Sequence, residues 1–137
     1  MTTGIYLLTF KKPVWGWYIG KSVDIENRYS QHILSLTSGT HTKKLQDAFY
    51  KCKKPPELKI LAECHKDWLD ILEHDLFKAA ASYYSRAKRP PYFVCLNTLH
   101  LESTVHINNK KKYIRLLDFS EVLTQNKPIK MGLLDLT

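Results

Sequence analysis

Gly4-Ile5-Tyr6-Leu7-Leu8-Thr9-Phe10 and, after the interruption Lys11-Lys12-Pro13, Val14-Trp15-Gly16-Trp17-Tyr18-Ile19-Gly20 decide how this chain begins to fold. Both runs consist of the β-branched, aromatic and aliphatic side chains that suit a pleated, half-buried surface. Two such runs joined by a short polar link containing proline read as a β-hairpin. Residues two apart on a strand share a face, and pairing brings distant residues side by side. Tyr6 and Tyr18 are thus placed to present two phenols on one face. Read only as aromatics in strands, they are ordinary β-formers with half-buried rings.

Downstream, Asp24 suits the N-cap of a helix carrying Ile25, Tyr29, Ile33 and Leu36 at helical spacing, with Gly39 as its C-terminal stop. A second amphipathic segment, residues 41–52, carries Leu45, Ala48 and Phe49. Lys53-Lys54-Pro55-Pro56 breaks it, residues 57–63 alternate towards a third strand, and residues 66–85 form the longest helical pattern. The order β-β-α-(α)-β-α predicts an α/β (α+β) domain with a small three-stranded antiparallel sheet flanked by helices. Beyond Asn97, Val105-His106-Ile107 and residues 113–117 predict a second hairpin with the basic tip Asn108-Asn109-Lys110-Lys111-Lys112, and residues 119–127 one short helix. The expected parse is one domain over 1–98 and a basic C-terminal extension, 99–137, packed on it.

A chain of 137 residues suffices for a single core. Its 21 Lys+Arg against 13 Asp+Glu leave a net charge of +8, which gathers polyanions, nucleic acid foremost. The three cysteines, Cys52, Cys64 and Cys95, are widely spaced and contain no C-x-x-C pair, which argues against structural zinc and for reduced thiols. No apolar run approaches the length of a membrane span, and no basic segment with an apolar signal core opens the chain. A soluble cytoplasmic protein without a membrane partner is expected.

Arg28 and His32 lie four apart beside the apolar stripe of the first helix, where an arginine suits bidentate contact with phosphate. Lys21, directly after the second run, offers a further cation. Both are equally read as solvated surface charges. Glu73 is harder to dismiss. Its helical neighbours Leu69, Leu76, Phe77 and Ala80 form an apolar face on which an unpaired carboxylate is costly. A metal ion, an ion pair or a cleft must offset that cost. Asp70, His74 and Asp75 read as the solvent side of the same helix. His41, in the loop before the second amphipathic segment, reads either as an acid–base or phosphate-contacting group or as an exposed histidine.

Together these residues resemble the GIY-YIG nuclease family, in particular the catalytic domain of phage group I intron homing endonucleases. Gly4-Ile5-Tyr6 and Tyr18-Ile19-Gly20 stand unaltered, followed in order by Lys21, Arg28, His32, Ser38-Gly39-Thr40-His41, Leu72-Glu73 and Cys95-Leu96-Asn97. Motifs in this order at family spacing carry far more than any one alone. The resemblance, covering residues 3–98, implies a metal-dependent DNA endonuclease with Mg²⁺ or Mn²⁺ at Glu73 and water as the attacking group. It implies that Tyr6 acts as base or orients the water, that Tyr18 bonds the phosphate or the water network, and that Arg28 binds the scissile phosphate. It gives His41 proton transfer or phosphate binding, with His32 the competing histidine, and Asn97 a part in fixing the site. Lys21, His32, Asn97 and Lys110–Lys112 are the expected phosphate or DNA contacts. Tyr6 serves as a base only if nearby positive charge lowers its pKa; otherwise it positions the water.

Two departures stand out. Residues 86–91 look like an insertion before Asn97, and no long linker to a DNA-recognition domain is seen. Low intrinsic sequence specificity is therefore expected, with a homodimer or a targeting protein as partner. The competing readings are a binding module that does not cut and a structural basic protein.

Overall fold

The computed structural model describes residues 1–97 and 129–131. The two apolar runs form strands β1 (Gly4–Phe10) and β2 (Gly16–Ser22), paired antiparallel with Tyr6 opposite Gly20 and Leu8 opposite Tyr18. Strand β3 (Glu57–Cys64) lies antiparallel on the other side of β1, with a register shift between Ile5 and Tyr6. These three strands are the expected antiparallel core, but the sheet is larger than three strands. Within residues 1–97 it gains β4 (Val94–Cys95), parallel to β2, and beyond them β5 (Ile129–Met131), parallel to β3. The order is β4-β2-β1-β3-β5. Strands of two and three residues carry no alternation, so hydrophobic periodicity does not report them.

Helix α1 (Ile25–Ser38) starts where Asp24 accepts a bond from the Asn27 N–H and ends at Gly39, at φ 74°. Helix α2 (Lys43–Cys52) begins later than the expected residue 41, leaving His41 and Thr42 in the connection; Lys53, at φ 56°, closes it ahead of the prolines. Helix α3 (Leu69–Ser85) is shorter than the 66–85 pattern because its first turn, Lys66–Trp68, is a 3₁₀ turn.

Strand alternation sorts the core into two layers. Ile5, Leu7, Trp17 and Ile19 pack with Ile71, Leu72, Leu76 and Ala80 of α3. On the opposite face Tyr6 and Leu8 pack with Ile25, while Phe10 packs with Leu36 and with Leu45 and Ala48 of α2. A sheet covered on both faces has no polar side, which is why β1 reads as a continuous apolar run. The same alternation puts Tyr6 under α1 and leaves Lys21 to reach towards α3. The 98/99 boundary, the hairpin tip Lys110–Lys112 and the helix over 119–127 lie outside the described residues.

Candidate active site

Tyr6 is 1% exposed and Tyr18 half-buried; their ring centroids are 6.4 Å apart on the α1 face of the sheet. The hairpin register makes this meeting possible. Tyr6 crosses over Gly20, where an added Cβ would lie 2.4 Å from its ring and hydroxyl. The glycine ending the second motif is thus the floor on which the first motif's tyrosine rests.

His32 is not beside the apolar stripe of α1, as its spacing predicted, but within the buried face, 1% exposed. It points down at the sheet, and its Nε2 lies 2.7 Å from the Tyr6 hydroxyl. Its Nδ1 lies 2.7 Å from Nε2 of His41. The two imidazole planes differ by 13° with centroids 4.9 Å apart. Since the nitrogens approach closer than the roughly 3.5 Å of ordinary contact between stacked rings, the rings meet edge to edge through a hydrogen bond. The backbone N–H of Thr42 donates to His41 Nδ1 at 2.7 Å, and Gln46 Oε1 accepts the His41 backbone N–H at 3.1 Å. Thr42 and Gln46 had no signal in the sequence, because one acts through its main chain and the other is a polar residue in a helical pattern.

Arg28 lies exposed on the solvent side of this cluster, donating to Gln31 Oε1 at 3.2 Å. Its charge bears on Tyr6, Tyr18, His32 and His41 alike. Burial nevertheless dominates: it pushes both phenols above their ordinary range, while Arg28 pulls the other way. In this state the positive charge of Arg28 does not make Tyr6 a base, because burial outweighs it. Burial, reinforced by Arg28, lowers His41 and brings His32 down to about 4, so both are neutral near pH 7.

Glu73 stands at the margin of the α3 apolar face, its side chain 13% exposed, rather than in the middle of that face. Burial raises its pKa, Lys21 opposes the rise and Asp70 adds to it. Lys21 Nζ is 3.9 Å from Glu73 Oε1 and in direct contact with Asp70 Oδ1, which raises the lysine's own pKa. Lys21, expected to face phosphate, here bridges two carboxylates of α3. Asp70 lies on the exposed side as predicted, whereas His74 and Asp75 are half-buried. Glu73 also acts on both phenols, raising their pKa values. A divalent cation fits this environment. A half-buried carboxylate with a second one a helical turn away suits an ion that keeps most of its waters and takes other oxygens from a substrate. Among the described residues no group of three or more His, Cys, Asp or Glu converges, so the protein's share would rest on Glu73 with Asp70 nearby.

Asn97 sits at the outer edge of β2. Its Oδ1 accepts the Ile19 N–H at 3.1 Å and its Nδ2 donates to the Ile19 carbonyl at 2.9 Å. One amide side chain thus continues the pairing that β4 makes with Gly16 and Trp17. A separate cavity of about 620 Å³, lined by Tyr83, Tyr84, Arg86, Ala87, Pro91 and Phe93, contains none of these residues. Cys52, Cys64 and Cys95 are free thiols, as expected. No described helix is long and apolar enough to cross a membrane.

Two phenols, an arginine and a partly desolvated carboxylate thus lie close enough at one end of the sheet for Arg28 and Glu73 both to act on Tyr6 and Tyr18. The family model of the GIY-YIG catalytic domain matches residues 2–95, more than half of the chain, and the chain belongs to that family of nucleases. No curated protein and no solved structure matches it.

Proposed function

We propose that this chain is a DNA endonuclease that hydrolyses phosphodiester bonds with Mg²⁺ or Mn²⁺ held at Glu73. The observation that carries the reading is Glu73 itself: a carboxylate taken largely out of water beside a lysine, acting electrostatically on two phenols that Arg28 also reaches. A purely structural ion pair has no use for that company.

Arg28 offers a planar fork of donors to the scissile phosphate, and being exposed it is free to meet a substrate. Charge growing on the phosphate oxygens strengthens that contact in the transition state. Tyr6 keeps its proton at neutral pH and orients the attacking water, while Tyr18, nearer solvent, bonds the phosphate. A bound divalent cation would supply the remaining charge stabilisation on the phosphate oxygens. His32 and His41 hold Tyr6 in place, and Lys21 passes from Asp70 and Glu73 to the phosphate as substrate arrives. Asn97 fixes the strand that carries Tyr18. Contacts to a phosphate backbone carry little base information. Intrinsic specificity is accordingly low, and a homodimer or a targeting partner selects the site. On motif resemblance the setting is a phage or another mobile element.

Supercoiled plasmid incubated with the protein and Mg²⁺ is expected to be nicked or linearised. Glu73→Gln should still bind DNA and cut about 10³-fold more slowly. Equal inertness of wild type and variant across Mg²⁺, Mn²⁺ and a range of salt would overturn the reading.

A further inference from the structure

The hydrogen bonds under α1 have a direction, and one backbone group sets it. The Thr42 N–H points at His41 Nδ1 at 2.7 Å, and the Thr42 hydroxyl lies 3.2 Å from the same nitrogen. Nδ1 of His41 therefore accepts and carries no proton, so a neutral His41 holds its proton on Nε2. That Nε2–H donates to His32 Nδ1, which must accept. His32 then carries its own proton on Nε2 and donates it to the Tyr6 oxygen at 2.7 Å. The opposite polarity needs a proton on His41 Nδ1, directly against the Thr42 N–H. A cationic His32 needs the same. Geometry alone selects the chain of donation Thr42 to His41 to His32 to Tyr6.

We propose that the Thr42 backbone amide, relayed through His41 and His32, fixes Tyr6 as the acceptor of a histidine N–H and turns the tyrosine's own hydroxyl hydrogen outward to the reacting groups. His41 is thus a positioning residue acting through His32, and neither histidine takes the Tyr6 proton, since the facing nitrogen of His32 already holds one. Burial makes the arrangement durable: His32 and Tyr6 are each 1% exposed, so water cannot replace a lost partner cheaply. The outward O–H of Tyr6 is left to donate to Tyr18, while Arg28, which has only donors, faces the Tyr6 oxygen. The use made of the relay rests on the nuclease reading; the relay itself does not.

Histidine-selective ¹⁵N labelling with long-range ¹H–¹⁵N correlation near pH 7 reads each ring's tautomer directly. Wild type is expected to show both His32 and His41 as the Nε2–H form. Thr42→Ala keeps the amide and should keep both forms. Thr42 has φ −59°, which a proline ring accepts, so Thr42→Pro deletes the N–H and should leave His41 in a mixture of tautomers. His41→Gln can still donate to His32 and should leave it Nε2–H. His41→Glu can only accept, and should turn His32 to the Nδ1–H form and lower plasmid cleavage more than His41→Gln does. Finding His32 as Nδ1–H, or as the cation, in wild type overturns the proposal even if the proline variant fails to fold. The stated tautomers in a protein that never cuts DNA would instead overturn the nuclease reading and leave the relay standing.

Discussion

At Gly20 a hydrogen atom decides whether the site exists. A methyl group there would fall 2.4 Å from the Tyr6 ring and hydroxyl, in a layer packed too tightly to yield. Gly20→Ala is expected to cost about 1–3 kcal/mol in chemical denaturation and to reduce cleavage further than that loss explains, because Tyr6 must leave His32. Gly4 is constrained likewise by main chain: a Cβ there would meet the Ala62 carbonyl at 1.8 Å. His32 carries the pH dependence. Its folded pKa, about 4, lies below the ordinary 6.5, so between those values the unfolded chain binds more protons than the folded one. Stability is therefore full above pH 6.5 and falls as pH drops towards 4, by about 3 kcal/mol if His32 acts alone. His32→Gln should flatten that part of a pH–stability profile measured in urea; an unchanged slope would place the effect elsewhere. Glu73 has the opposite sign: with its pKa raised, ionisation costs stability as pH rises. Glu73→Gln should thus melt higher than metal-free wild type at pH 7, and the gain should vanish in acid. Much of this was legible in the sequence. Strand alternation placed Tyr6 and Tyr18 on one face, and the neighbours of Glu73 marked it as a costly carboxylate. The burial of His32 was not, because a histidine beside a stripe and one within it differ by a rotation that only packing against the sheet decides.

Helices α1 and α3 and strands β1 to β3 announced themselves by period, by Asp24 and by Gly39, since each carries enough residues for a pattern. β4 and β5 are too short for that, and they take their shape from neighbours. Val94 and Leu96 donate backbone bonds to the Trp15 and Trp17 carbonyls, and Asn97 then clasps both polar groups of Ile19. The edge of β2 beside Tyr18 is held by that side chain. Asn97→Ala leaves one N–H and one C=O of Ile19 in a partly buried place without their partner, at an expected cost of about 1–3 kcal/mol. Asn97→Asp keeps the acceptor, loses the donor and sets a negative oxygen against the carbonyl, so it should be no better. Hydrogen exchange at the Ile19 amide checks the argument: protection should fall in both variants, more than at Leu7 in the middle of β1. If Ile19 stays protected, the edge is held by something other than Asn97.

Charge belongs to the whole molecule. The net +8 says that a polyanion is attracted, not where it lies, and phosphate contacts release counterions wherever they form. Within the cluster, Arg28 is exposed and Lys21 is occupied by α3 carboxylates, so the catalytic end alone offers few free cations. The stretch 86–115 holds seven of the chain's 21 Lys+Arg with Glu102 as its one acid, Lys110–Lys112 among them. If these three lysines neutralise phosphates, each accounts for about 0.9 of the slope of log K against log salt concentration. In a Glu73→Gln background, expected to bind while cutting far more slowly, replacing Lys110, Lys111 and Lys112 with Ala is expected to reduce that slope by about 2 to 3 and weaken binding similarly on every sequence tested. Fluorescence anisotropy of a labelled duplex between low and physiological salt measures it. A slope that does not move would put the phosphate contacts on other cations of the chain. If Arg28 and Lys21 are among them, Lys21 must leave Asp70 to make its contact, which would couple DNA binding to assembly of the active centre.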